Sequence, residues 1–309
     1  MRIVFMGTPE FAVSTLETLY ECGQDVVLAV TQPDRPKGRG YVMTPSPVKV
    51  CALEHGTNVI TPEKMRDESV IKALEEAKAD MFIVTAFGKI LPQSVLDIPP
   101  LGCVNVHASL LPKLRGAAPI NRAIMNGDEL GGVTLMYMDA GMDTGDMIIS
   151  ETVGITPELD AGAYHDLLAR AGSKCLKKFL NMLENGENIP RVKQNGEEAT
   201  YAPKITNEET RIDFDLPAKE VYNKIRGLSP FPGAYFTLEG KRIKVLKAAL
   251  GDKNGEPGTV ICTAENGIGI ACAGGCVMLE VICPEGKKPT DCASYLRGHS
   301  LPLGTRTNG

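Results

Sequence analysis

The sequence predicts an α/β protein: a Rossmann-like, mostly parallel sheet with helices on both faces, followed by a smaller antiparallel β-barrel domain of OB-like type. Three observations carry this expectation. In the first half, short and nearly continuous apolar runs alternate with segments of helical period, the pattern of parallel strands covered on both faces. In the last hundred residues the runs are short and alternating, and glycine turns separate them, as in small antiparallel barrels. The charge divides at the same place: residues 1–189 hold 17 basic and 24 acidic side chains, net −7, and residues 190–309 hold 16 and 14, net +2.

In chain order, Arg2 to Met6 is an apolar run ending in GTPEFA, and Phe11 to Cys22 has helical spacing, so the chain opens as strand, tight turn and helix. Further strands are expected at Asp25 to Thr31, Asn58 to Ile60, Met81 to Phe87 and Gly102 to His107, with helices at Pro47 to His55 and Ser69 to Lys78. Val133 to Met138 and Met147 to Thr152 extend the sheet, and Asp160 to Leu183 is a long amphipathic helix. A polar stretch with Pro190, Asn195, Gly196 and Pro203 reads as a connector, which gives a first domain at 1–189, a linker at 190–206 and a second domain at 207–309. In the second domain a helix at Ala218 to Arg226 precedes strands at Ala234 to Leu238, Arg242 to Ala248, Gly258 to Cys262, Gly267 to Ala271 and Cys276 to Ile282.

Composition excludes several classes. With 309 residues, 43% apolar and 23% charged, the chain can bury a core and is neither disordered nor fibrous. It has no apolar run of bilayer length and its start lacks a signal-peptide core, so a cytoplasmic protein without membrane association is expected. Among the nine cysteines, Cys272, Cys276, Cys283 and Cys292 lie closest together and raise the question of zinc. Their spacing lacks paired two-residue knuckles, however, and Cys272 and Cys276 fall in a glycine-rich alternating stretch, so they read as structural. A Rossmann-like start suggests a dehydrogenase, but GTPEFA is not G-x-G-x-x-G, and Glu10 would repel a pyrophosphate.

The chemistry concentrates in two segments. In GCVNVHASLLPKLRG, Asn105 and His107 stand two apart on a strand, hence on one face, where the strand runs into a loop. In MDAGMDTGD, Asp139, Asp143 and Asp146 sit on a loop between two strands. An amide donor, an imidazole and a carboxylate that orients it form an apparatus for acyl transfer. A third segment, TQPDRPKGRGYVMTPSPVK, carries Arg35, Lys37, Arg39 and Lys49 against Asp34, net +3 within an acidic domain, and its Pro and Gly content excludes regular structure. The formal net charge of −5, from 33 basic and 38 acidic residues, therefore hides a local basic arm.

These segments together resemble the folate-dependent formyltransferases, most closely the branch that acts on methionyl-tRNA. GTPEFA, TQPDRPKGRG, TPSPVK, CVNVH, SLLPKLRGAAPI, MDAGMDTGD, TYAPKI and SPFPGA match that branch in order along nearly the whole chain. The resemblance implies transfer of a formyl group from 10-formyltetrahydrofolate to the α-amine of methionine on initiator methionyl-tRNA, for translation initiation. Asn105 and His107 would supply oxyanion donors, and Asp143 would hold the ring and help move the amine proton. Ser109, Leu110, Leu111 and Pro112 would shape the folate side of the cleft, with Phe87, Gly88, Ile90, Leu91 and Asp139 enclosing the pteridine; a buried strand end is the competing reading of residues 87–91. Arg35, Lys37 and Arg39 would contact the acceptor end of the tRNA, and Lys204 and Lys244 its backbone. No metal is called for, and a monomer is expected. The alternative is a small-molecule acceptor for the same chemistry, glycinamide ribonucleotide or an amino-sugar nucleotide.

Overall fold

In the computed structural model, which describes residues 1–37, 40–264 and 267–307, the first strand β1 (Arg2–Gly7) lies buried in the middle of a seven-stranded sheet. It is followed by α1 (Glu10–Glu21), β2 (Asp25–Val30), a hairpin of β3 (Arg35–Lys37) and β4 (Val42–Thr44), α2 (Pro47–Glu54) and β5 (Val59–Ile60). Then come α3 (Glu68–Glu76), β6 (Met81–Thr85), α4 (Gln93–Leu96), β7 (Cys103–His107), α5 (Pro119–Asn126), β8 (Leu130–Tyr137), β9 (Met147–Gly154) and α6 (Ala161–Glu184). The strand order is β5-β2-β1-β6-β7-β8-β9. The five strands from β5 to β7 pair in parallel, and β8 and β9 are added antiparallel. The chain leaves β1 toward β5 and returns to β6 on the other side, so the order reverses between β1 and β6, the point where open sheets of this kind form a crevice.

Alternation along the strands distributes the core over two layers. Val4, Met6, Leu28, Val30, Phe82 and Val84 meet Val70 and Leu74 of α3 and Val95 and Leu96 of α4 on one face. On the other, α1 hydrogen-bonds to α6 through Ser173 Oγ and the Ser14 carbonyl. A β-carbon on Gly172 of α6 would come within 3.1 Å of Val106, so this helix packs close against β7. Gly7 is likewise fixed by packing, since a β-carbon there would meet Ala12 at 2.7 Å. The chain contains the expected Rossmann-like layer with helices on both faces.

Contacts divide the chain into two units, one of Met1–Pro119, Leu130–Gly154 and His165–Ala202, the other of Ile120–Glu129, Ile155–Tyr164 and Pro203–Gly309. The second unit holds α7 (Ala218–Gly227), β10 (Ala234–Leu238), β11 (Lys241–Gly251), β12 (Val260–Ala264), β13 (Gly267–Ala271), β14 (Cys276–Pro284), β15 (Thr290–Asp291) and α8 (Cys292–Gly298). Its sheet is antiparallel throughout, ordered β10-β11-β14-β13-β12 with β15 on β14. Val221 and Ile225 of α7 pack with Phe236, Val245, Ile270, Val277 and Leu279 in one apolar core. This is the smaller antiparallel β domain the glycine-spaced runs predict.

Three local differences from the sequence reading have physical causes. The basic segment forms the β3–β4 hairpin despite its Pro and Gly content, and Lys49 anchors its base through an ion pair to Asp34 at 2.8 Å. β6 stops at Thr85, two residues early, because Ala86 and Gly88 turn the chain at φ +45° and +76°. Residues 190–202, within the stretch read as a linker, run along the first unit. Val192 bridges Met147 and Tyr201 bridges Arg115, while the Ala202 amide donates to the Arg115 carbonyl at 2.7 Å.

Candidate active site

Asn105 and His107 occupy alternate positions of β7 and are 8% and 6% exposed. His107 ends the strand, and the chain turns at once into the 108–116 loop. That loop is closed by its own polar groups. The Ser109 hydroxyl donates to the Lys113 carbonyl at 2.6 Å, and Thr134 of β8 donates to the Ser109 carbonyl at 2.8 Å while accepting from the Leu111 amide at 3.1 Å. Leu114 adopts a left-handed conformation, φ +58°, with its carbonyl 3.1 Å from His107 Nε2. Its own amide donates to Thr200 Oγ1 at 2.9 Å. A carbonyl only accepts, so Nε2 carries a proton.

Asp143, on the loop between β8 and β9, brings the three polar side chains together. Its Oδ1 is 3.5 Å from Asn105 Nδ2, and its Oδ2 is 3.7 Å from His107 Nδ1. Oδ2 also accepts the Gly116 amide at 2.8 Å. Gly116 adopts φ +114°, and a β-carbon would press against the Ala202 carbonyl at 3.0 Å, so glycine is the residue that places this amide. Nε2 is bonded to the Leu114 carbonyl, and Nδ1 faces the Asp143 carboxylate at ion-pair range, longer than a hydrogen bond.

Asp143 itself sits at φ +53°, a left-handed conformation that costs a non-glycine residue about 1–2 kcal/mol. Gln194 holds it there. The Gln194 amide donates to the Asp143 and Gly145 carbonyls at 2.9 and 2.8 Å, and its oxygen accepts from Nε and Nη2 of Arg115 at 3.0 and 2.7 Å. Arg115 is 6% exposed, so Gln194 joins a buried guanidinium to the Asp143 loop. Sequence reasoning missed Gln194. It lies 51 residues from Asp143 in a polar stretch without periodicity, and only the bridges of residues 192 and 201 bring it back.

The other expected site residues occupy the following places. Leu111 is buried, and Leu110 and Pro112 are half-buried in the loop after β7. Asp139 is exposed and accepts from the Gly141 amide and the Thr144 hydroxyl, closing its own turn. Phe87 and Leu91 are buried in the core under the sheet, and Ile90 projects outward at 79% exposure. The Phe87 carbonyl accepts from Thr8 Oγ1 at 3.1 Å and Gln32 Nε2 at 3.0 Å, joining the ends of β6, β1 and β2 at the crevice.

In the basic hairpin Arg35 is exposed and Lys37 pairs with Val42, while Arg39 lies outside the described residues. Tyr41 and, on β4, Val42 and Met43 are exposed, an aromatic and apolar stretch that charge counting did not single out. In the second unit Lys204 is exposed, and Lys244 spends its ammonium on the Pro232 carbonyl at 2.7 Å. Cys272, Cys276 and Cys292 are buried, and burial pushes the Cys272 and Cys292 thiols up to about 12. Among the described residues, the group of three His, Cys, Asp or Glu side chains with converging ligand atoms lies elsewhere, at Glu17, Cys51 and His55. No described helix is long and apolar enough to cross a membrane.

Comparison with known proteins follows the same division of the chain. A formyl transferase family model matches residues 1–180, and one for the formyl transferase C-terminal domain matches residues 204–300. The chain is 46% identical over 304 residues to the methionyl-tRNA formyltransferase of Trichlorobacter lovleyi, covering 98% of this chain and 96% of that one. It is 47% identical over 309 residues to that of Agathobacter rectalis, covering 99% of each. Among solved structures, WlaRD, a sugar 3N-formyl transferase in the presence of dTDP and 5-N-formyl-THF, superposes with a TM-score of 0.67 at 21% identity, covering 93% of this chain and 99% of that one. HypX from Aquifex aeolicus in complex with tetrahydrofolic acid superposes at 0.65 and 20% identity, covering 96% and 47%. At these identities the structural likeness is one of fold. By the two family matches and the full-length relatives, the chain belongs to the methionyl-tRNA formyltransferases of the formyl transferase family.

Proposed function

We propose that this protein transfers a formyl group from 10-formyltetrahydrofolate to the methionine α-amine of initiator methionyl-tRNA. The observation that carries the reading is the convergence of Asn105 and His107 on Asp143 beside a loop whose polar groups are otherwise satisfied. The neutral amine attacks the formyl carbon, a carbon–nitrogen bond forms, and negative charge collects on the formyl oxygen. Asn105 Nδ2 donates to that oxygen, and His107 joins it through Nδ1, whose N–H turns from Asp143 to the oxyanion while Nε2 stays on the Leu114 carbonyl. A donor placed at such an oxyanion is worth roughly 3 kcal/mol of barrier. Asp143 takes the proton the amine loses, directly or through one water, and returns it by the same route to the folate nitrogen as the bond from that nitrogen to the formyl carbon breaks and the carbonyl re-forms.

Backbone groups of residues 109–112 and 139–143, with the 87–91 segment at the crevice, suit a pteridine, whose edge is a row of donors and acceptors. For the acceptor, Arg35, Lys37 and Arg39 give the segment its positive charge, and Lys204 adds an exposed cation in the second unit. Tyr41 adds a flat ring on which an unpaired base can stack. We assign catalysis to residues 1–189 and tRNA binding to residues 207–309 together with the hairpin. The test is acceptor choice: purified protein, 10-formyltetrahydrofolate, and either initiator methionyl-tRNA, glycinamide ribonucleotide or an amino-sugar nucleotide. Formylation of the tRNA alone supports the reading. Formylation of a small molecule but not of the tRNA overturns it.

A further inference from the structure

Outside the catalytic loops, one cluster holds three chemically different metal-ligating groups. Cys51 lies in the last turn of α2 and His55 caps the same helix, so the i, i+4 spacing sets both on one face. Glu17 comes from the facing helix α1. Its Oε1 is 3.2 Å from Cys51 Sγ, its Oε2 is 3.2 Å from His55 Nε2, and the ligand atoms of all three lie within 4.8 Å of one another. A four-coordinate zinc ion with bonds of about 2.0–2.3 Å holds its ligand atoms about 3.3–3.8 Å apart, so small side-chain adjustments close the set around an ion.

We infer that Glu17, Cys51 and His55 form a binding site for a borderline dication, Zn2+, with a water as fourth ligand. The surroundings favour it. Tyr20 stacks on the His55 ring at 3.9 Å and 11°, and its hydroxyl is held by Thr57 at 2.7 Å, so the imidazole is oriented before an ion arrives. The C-terminal end of α2 contributes partial negative charge. Burial, then the hydrogen bond and charge of Glu17, and to a smaller extent Glu54 and Glu10, push the Cys51 thiol up to about 12, a cost that the sulfur–metal bond must offset. In the metal-free protein Cys51 is therefore a neutral thiol donating to Glu17. Binding breaks the S–H bond, forms a bond from sulfur to the ion and releases the proton to solvent. Glu17 and His55 are partly exposed, with side-chain exposures of 42% and 39%, which leaves an entry path and room for the water. The site would tie α1 to α2, far in role from the formyl chemistry, and does not depend on the proposed acceptor.

The experiment uses full-length, chelator-stripped protein titrated with Zn2+ by calorimetry and with Co2+ as an optical probe. One equivalent is expected, with a thiolate-to-cobalt charge-transfer band and the intense visible bands of a four-coordinate ion. His55→Ala and Glu17→Gln, at exposed positions that do not support the core, should lose the tight equivalent. Cys51→Ser should lose the charge-transfer band, and Cys283→Ser should change neither. Absence of saturable binding in the unaltered protein overturns the inference. So does a charge-transfer band that survives Cys51→Ser, or tight binding that survives His55→Ala.

Discussion

Replacing Gln194 by Ala removes four hydrogen bonds, two from the Arg115 guanidinium and two to the Asp143 and Gly145 carbonyls. A bond to a charged group contributes about 1.5–3 kcal/mol and a neutral one about 1 kcal/mol, so the full loss would approach 5–8 kcal/mol if every partner stayed dry. Gln194 is only half-buried, and water entering the vacated volume recovers part of this, which leaves an expected destabilisation of about 2–4 kcal/mol. For a unit of this size that lowers the melting temperature by roughly 5–12 °C. The catalytic effect should be larger than stability alone requires. Asp143 is held at φ +53° against its own backbone preference, and once released its carboxylate moves from Asn105 and His107. Misplacement by about 1 Å costs on the order of 100-fold in rate. Gln194→Glu separates the two effects. It keeps an acceptor for Arg115 and loses the donors to the loop, so the melting temperature should stay within a few degrees while single-turnover formyl transfer still slows. Scanning calorimetry and a quenched single-turnover assay read both quantities. Unchanged transfer in both variants would refute the argument that Gln194 positions Asp143.

Four further outcomes follow from the geometry. Asn105→Ala should lower kcat by about 100- to 1,000-fold with little change in KM for the tRNA; a loss confined to KM would remove Asn105 from oxyanion stabilisation. Thr134→Val leaves the Leu111 amide and Ser109 carbonyl without their buried partner and should destabilise by about 2–3 kcal/mol, visible as a lower denaturant midpoint at unchanged slope. Arg35→Ala should weaken tRNA binding and reduce the slope of log affinity against log salt by about 1, with folate affinity unaltered; an unchanged slope would show that Arg35 touches no phosphate. Arg122 beside Glu209 holds its carboxyl below the usual carboxylate range, so its contribution to stability is full above that range and fades as the pH falls through and below it. The difference in melting temperature between the unaltered protein and Glu209→Gln should therefore shrink on acidification, and a gap that widens would contradict this sign.

Where local pattern decides structure, the sequence was readable. β1, β2, β6, β7 and β8 announce themselves because a strand buried on both faces is nearly continuously apolar, and Asn105-x-His107 declares a shared face because side chains two apart on a strand cannot do otherwise. Asp143 was readable through its glycine-rich loop. What holds Asp143 was not. Gln194 sits in a polar stretch whose order comes from single bridges to Met147 and Arg115, contacts that leave no periodic trace. The β3–β4 hairpin escaped for a related reason: Pro36 stands at an edge of a two-stranded ribbon, where a missing amide is tolerated, so a rule against proline in strands misleads. The Glu17, Cys51 and His55 cluster joins two helices, and Cys51 alone looks like one more small apolar residue in a chain with nine cysteines.

The most direct test of the catalytic proposal is a single-turnover comparison of the unaltered protein with Asn105→Ala, His107→Ala and Asp143→Ala, each given 10-formyltetrahydrofolate and initiator methionyl-tRNA. The expected result is formyl-methionyl-tRNA from the unaltered protein, and transfer slowed by 100-fold or more in each variant while folate and tRNA binding persist. Transfer at the unaltered rate by any of the three, or a protein that binds both substrates and forms no formyl-methionyl-tRNA, would contradict it.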